Sequence, residues 1–297
     1  MARPAPSPLY TLRGAGSPLN TLHFGCCEGD PPLLFSGSGQ GSVHVWNLTT
    51  RRAERVLEGH SGASVTWLNT LHSRDTLISQ GRDMRVCLWD LAEGRGDVTD
   101  ALWTGSVGFC HCSLLETGPG RWLLAHAGEA MEEVKIIELP SKSPVCSLIP
   151  QAKLGMVMCI KLWQPDSSPG PLLLAGYEDG SLALWDVSQR SVLSRATAHP
   201  EPVMCLDFDP AGQRGVSGSS EKSLASWMLD GQHRLQRLAV RRGAGGGTVG
   251  SPGVAVLGLG RVRPRVVVAV LSGRAGLKVG FMLAVGVPGG RGEMVTS

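Results

Sequence analysis

The chain has 297 residues, with 28 Lys and Arg against 25 Asp and Glu for a net charge of +3, eight cysteines and 5% aromatic residues. That mild basicity is produced by one end: after Asp230 the sequence carries nine Arg and Lys278 against the single acid Glu293, a net +9, so the first 230 residues sum to −6. The composition excludes a uniformly basic nucleic-acid-coating protein, and a membrane span across Val266–Val287 is opposed by Arg274 and Lys278, each costing roughly 2.5 to 3.5 kcal/mol at mid-span.

In chain order, MARPAPSP (1–8) is too proline-rich for a helix and too polar for a signal peptide, and reads as a flexible leader. The repeats follow. A phrase ending in tryptophan recurs as HVWNL at Trp46, CLWDL at Trp89, ALWDV at Trp185 and SWML at Trp227, each after a glycine-containing turn. The wide interval in the middle predicts a degenerate copy, and VKIIEL supplies it with Ile137 in the tryptophan's place, so the spacings are 43, 48, 48 and 42 residues. Between anchors the chain reads as short apolar strands punctuated by turn dipeptides: PVCSLI, MVMCIKLW, PLLLAGY and SLALWDV near the fourth anchor are of strand length and rich in β-branched, leucine and aromatic residues. No long stretch keeps a helical apolar period. The expectation is an all-β chain with radial repetition, because a period of about 40 to 45 residues with four strands is that of a propeller blade.

These phrases, with SQGRD before CLWDLAEGR, then SVGFC, KLGM, LLLAGYEDGS and EPVM, resemble the WD40-repeat family, and in their order the G-protein beta-like members of it. The resemblance spans residues 9–230. It implies a β-propeller that binds other proteins or peptides without nucleotide chemistry, with seven blades in the parent fold. Five units are recognisable here, so about two blades are missing and closure is expected to be incomplete or irregular. PLYTLRG (Pro8 to Gly14) is expected to be the outer strand of the last blade. The domains expected are therefore the leader 1–8, propeller repeats 9–238, and a divergent Gly/Arg/Val-rich tail 239–297 that is disordered or weakly folded, of the kind an alternative isoform or a shifted frame would produce.

The resemblance also implies a hydrogen-bonded tetrad in each blade: a histidine before the first strand, a serine in the second, an acid in the second turn and the tryptophan of the third. A buried acid needs donors, and His, Ser and the indole N–H provide them. The second unit has His60, Ser79, Asp83 and Trp89; the fifth has His199, Ser217, Glu221 and Trp227. The first keeps Ser36 and Trp46 beside Ala15 and Gln40, the fourth keeps Asp179 and Trp185 beside Lys153 and Ala175, and the third, with Met131 and Ile137, keeps none. A catalytic triad is rejected, because the serine sits within a strand instead of on a strained elbow and the set recurs as architecture does.

Four turn residues are expected to face outward as protein-binding positions: Arg82 and Arg85 around Asp83, and Tyr177 and Glu178 before Asp179. No catalytic residue, metal site or cofactor is expected. Cys110, His111 and Cys112 lack a second ligand pair at zinc spacing, and GGGTVG (Gly245 to Gly250) lacks the flanking strand and helix of a dinucleotide loop. With no secretion signal the cysteines are expected to be reduced and the protein intracellular, in cytoplasm, nucleus or both. The function expected is a non-catalytic scaffold or adaptor, monomeric within a hetero-complex and without a membrane partner; the alternative is a nucleic-acid-associated protein using the basic tail.

Overall fold

The computed structural model describes residues 10, 12–25, 33–71, 75–106, 109–165, 170–210 and 213–242. Alternating short strands and tight turns build five four-stranded antiparallel sheets among these residues. The first contains β1 (Leu19–Gly25), β2 (Leu33–Ser38), β3 (Ser42–Asn47) and β4 (Arg52–Glu58). The second contains β5 (Val65–Thr70), β6 (Thr76–Gly81), β7 (Arg85–Asp90) and β8 (Asp97–Trp103). The third is β9 (Ser113–Gly118), β10 (Arg121–Ala127), β11 (Val134–Leu139) and β12 (Ser143–Leu148). The fourth is β13 (Val157–Trp163), β14 (Leu172–Tyr177), β15 (Ser181–Asp186) and β16 (Ser191–Thr197). The fifth is β17 (Val203–Asp209), β18 (Arg214–Ser219), β19 (Ser223–Leu229) and β20 (Leu235–Arg242).

All five anchors fall on the third strand of a sheet and take the same register. Trp46 pairs with Leu34, Trp89 with Leu77, Ile137 with Leu124, Trp185 with Leu173 and Trp227 with Gly215. In every sheet the pairing of third and fourth strands shifts immediately before the anchor, so the repeat extends to a periodic bulge that raises local twist.

The core lies between sheets. Phe35, Val43 and Val45 meet Leu77, Cys87 and Trp89 across the first junction; Ile78, Val86 and Leu88 meet Leu124, Ile137 and Leu139 across the second. Val134 and Ile136 meet Leu173, Tyr177 and Trp185 across the third, and Leu172, Leu174, Leu182 and Leu184 meet Phe208 and Trp227 across the fourth. Fully burying one such side chain stabilises by about 1.5 to 3 kcal/mol, so each junction is a substantial source of stability. No cluster among the described residues joins the fifth sheet to the first. The third-strand positions that each earlier sheet buries against its successor are Leu224 and Ser226 in the fifth, and Leu224 is 43% exposed. The described residues thus form an incomplete propeller, an arc of five sheets.

Two boundaries differ from expectation. The described part of PLYTLRG, residues 10 and 12–14, forms no strand; the Tyr10 ring instead lies under the Arg51 guanidinium at 4.7 Å. The last strand, β20, continues to Arg242, four residues past the expected end at 238, because Val240 and Ala239 pair with Ala225 and Ser226 of β19. The leader 1–8 and the rest of the tail, GGGTVG included, lie outside the described residues. PVCSLI also changes owner: Pro144–Leu148 falls in β12, which closes the third sheet rather than opening the fourth.

Candidate functional site

In the second sheet, the turn after β6 brings Asp83 under the histidine that precedes β5. His60 Nδ1 lies 2.9 and 3.0 Å from the two Asp83 carboxylate oxygens, and its Nε2 lies 2.7 Å from Ser79 Oγ. The Trp89 indole N–H donates to that same Oγ at 2.8 Å. Because a carboxylate only accepts, Nδ1 carries a proton towards Asp83; in the tautomer with that proton alone, Nε2 accepts from the Ser79 hydroxyl. His60 and Ser79 are both fully buried. Gly81 is required here, since a Cβ on it would stand 2.3 Å from His60 Nδ1 and 2.5 Å from Asp83 Oδ1.

The fifth sheet joins histidine to acid through one intervening side chain. His199 Nε2 is 2.9 Å from Ser217 Oγ, but its Nδ1 faces the Ser223 hydroxyl at 2.8 Å, and Ser223 donates to Glu221 Oε1 at 2.8 Å. The glutamate therefore reaches the imidazole through a serine. Burial holds the His199 ring below its usual pKa, with Glu221 pulling the other way. Trp227 does not donate to Ser217. Its ring settles over Gly215, where an added Cβ would meet it at 2.0 Å, and stacks on Phe208 with centroids 5.4 Å apart.

The other sheets hold fragments. Trp46 Nε1 donates to Ser36 Oγ at 2.8 Å, and Ser38 and Ser42 hydroxyls are 2.8 Å apart. In the fourth sheet Asp179 accepts from the Ser181 hydroxyl at 2.5 Å and from Arg195 Nη2 at 2.9 Å. In the third, Glu133 accepts from Ser147 at 2.6 Å.

Of the four expected outward positions, Tyr177 is corrected: its side chain is fully buried in the junction of the third and fourth sheets. It occupies the register position of Gly81, whose missing Cβ points at the His60 ring, and the fourth sheet has Lys153 where that histidine would stand. The phenol takes the inward direction that the imidazole leaves free. Glu178 is exposed, yet its Oε2 accepts the Met156 N–H at 3.0 Å. Arg82 is exposed with its guanidinium 5.4 Å from the centroid of the Phe109 ring, and Arg85 is half-buried beside its strand partner Trp103.

Cys110, His111 and Cys112 lie just before β9. Burial pushes the Cys110 thiol up to about 12 and the His111 ring down to about 4, the neutral forms of both. No group of three His, Cys, Asp or Glu among the described residues is arranged to hold a metal ion, and no described helix is long and apolar enough to cross a membrane.

Repeated four-stranded sheets, an anchor on each third strand and His–Ser–acid–Trp bonding within a sheet define a WD40-type propeller chain. The chain belongs to the WD40-repeat family, and the model described as "WD domain, G-beta repeat" matches residues 6–47, 51–90 and 190–227. Those segments contain the anchors of the first, second and fifth sheets and leave out those of the third and fourth, where the bonding set is most eroded. The chain is 53% identical over 238 residues to the guanine nucleotide-binding protein subunit beta-like protein 1 of Mus musculus, covering 78% of this chain and 73% of that one. It is 36% identical to the small ribosomal subunit protein RACK1y of Oryza sativa subsp. japonica over 53% of this chain and 44% of that one. It is 26% identical to the ASTRA-associated protein 1 of Yarrowia lipolytica over 77% of this chain and 58% of that one. Among solved structures, the Cps50 (Swd1) β-propeller domain of Myceliophteria thermophila superposes with a TM-score of 0.62 at 19% identity, over 79% of this chain and 75% of that one, a likeness of fold.

Proposed function

We infer that the chain is a non-catalytic protein–protein interaction scaffold with an assembly or adaptor role. The observation that carries this is the state of the serine–histidine–acid set in the second sheet: the Ser79 hydroxyl is fully buried and held at once by His60 Nε2 and Trp89 Nε1, so no substrate carbonyl can approach it. The second such set, in the fifth sheet, is likewise buried and internally bonded. What remains for function is the surface of the turns, where shape and a few anchor side chains confer recognition.

The names of two relatives, a small ribosomal subunit protein and an ASTRA-associated protein, place those proteins with larger assemblies. By that likeness the partners of this chain are other proteins or peptides, the chain is monomeric within a hetero-complex, and its setting is intracellular. His60, Ser79, Asp83, Trp89, His199, Ser217, Glu221 and Trp227 hold the fold, and Arg82, Arg85 and Glu178 stand on the recognition surface. Affinity purification of the whole chain, with identification of bound proteins, tests the reading. It predicts stable protein partners whose recovery survives nuclease treatment. Recovery of nucleic acid alone, salt-sensitive and lost on deleting residues 243–297, would contradict it.

A further inference from the structure

We propose that the end of the second sheet bearing Arg82 is a docking surface for an extended segment that pairs acidic with apolar side chains. This deepens the scaffold reading and rests on it. Trp103 at the end of β8, Phe109 between β8 and β9, and Met131 in the turn between β10 and β11 are 61%, 56% and 59% exposed. They are held in place. Thr104 N–H and its hydroxyl both donate to the Met84 carbonyl, at 2.8 and 3.1 Å, which ties the residue after Trp103 to the turn between β6 and β7. The Arg82 backbone N–H donates to the Ser64 carbonyl at 2.9 Å, fixing the base of the side chain that covers one face of Phe109. The Met131 carbonyl accepts the Val157 N–H at 2.9 Å.

The charge on this surface selects the occupant. Among the described residues no carboxylate is bonded to the guanidinium of Arg82 or Arg85, whereas Arg95, Arg121 and Arg195 are each paired with one. A guanidinium stacked on an aromatic face keeps its in-plane N–H groups free, so Arg82 can hold Phe109 and grip a carboxylate together. The first 230 residues sum to −6, so within the repeat region an acidic segment meets its attraction at guanidinium groups without a carboxylate partner, apart from the basic stretch after Asp230. An apolar residue next to the acid then covers the open face of Phe109 or the side of Met131.

Random short peptides displayed on phage and panned on the whole chain test this, with the selected sequences synthesised and their affinities measured. The expected sequences place Asp or Glu beside Leu, Phe, Met or Trp. Arg82→Glu and Phe109→Ser should each weaken binding by about tenfold or more, as loss of a central anchor does. Glu93→Lys, in the turn at the other end of the second sheet, should leave binding unchanged, and melting midpoints of all three show that they fold. Peptides that bind Arg82→Glu as tightly as the parent, or that are basic, would overturn the surface while leaving a scaffold with another face; no selected peptide at all would overturn the surface too, leaving the scaffold reading to the affinity purification.

Discussion

His199 Nδ1 lies 2.8 Å from the Ser223 hydroxyl, at the place where His60 meets the carboxylate of Asp83 at 2.9 Å. Ser223 relays the charge of Glu221 to the imidazole, so the two histidines are held in the same way by unlike acids. Ser223→Ala should leave both His199 Nδ1 and the buried side of the site short of a partner and cost about 1 to 3 kcal/mol. A lowered denaturant midpoint with an unchanged slope is the expected reading; no loss would show that Glu221 bonds the ring unaided.

Tyr177 fills a closed junction, so Tyr177→Ala should cost about 3 to 5 kcal/mol, as removal of a buried ring does. Partner recovery should fall only with the folded fraction. Loss of recovery at an unchanged melting midpoint would return Tyr177 to the recognition surface.

Leu182 and Leu224 occupy the same register position, one buried between the fourth and fifth sheets and one facing outward. Leu182→Asn should cost more than about 2 kcal/mol, whereas Leu224→Asn should fall within about 0.5 kcal/mol of the parent. Equal costs in thermal melts would mean that the fifth sheet is covered and the arc is closed.

Acid should weaken the fold through its buried histidines, chiefly His23 and His111. Burial lowers His23, bonded through Nε2 to Thr70 Oγ1 at 3.0 Å, and His111 to about 4 each, against an unfolded value of about 6.5. Between those values the unfolded chain binds protons that the folded chain refuses, so the stability these neutral rings contribute is complete above about 6.5 and lost as pH falls towards 4. Melting midpoints measured across that window should drop, and the drop should be shallower in His23→Gln. A parent midpoint that stays level through the window would contradict the assignment.

The third strands were legible because a tryptophan every four-stranded unit is a strong signal, and Ile137 was found by spacing alone. The eroded third and fourth units were legible as erosion. Ser223 was not found, although Ser42 and Ser181 stand at the same place four residues before their anchors, a periodic signal that the bonded pairs Ser38–Ser42 and Asp179–Ser181 now explain. Tyr177 was misread as outward because proximity to a turn suggested exposure; alignment with Gly81 beside a missing histidine is the feature that predicts burial. The ends of the repeat region were least legible, since β20 is set by pairing with β19 instead of by its own arginine-rich composition.

The central claim is that the His–Ser–acid groups are architecture and that binding resides on the turns. Asp83→Ala measures this most directly, because it removes both carboxylate oxygens from His60 while leaving Arg82 and Phe109 in place. The melting midpoint and the recovery of a purified partner, taken on the same protein sample, should fall together, with a stability loss of about 1 to 3 kcal/mol and undiminished binding per folded molecule. An unchanged midpoint with binding abolished would place function in the tetrad and contradict the account.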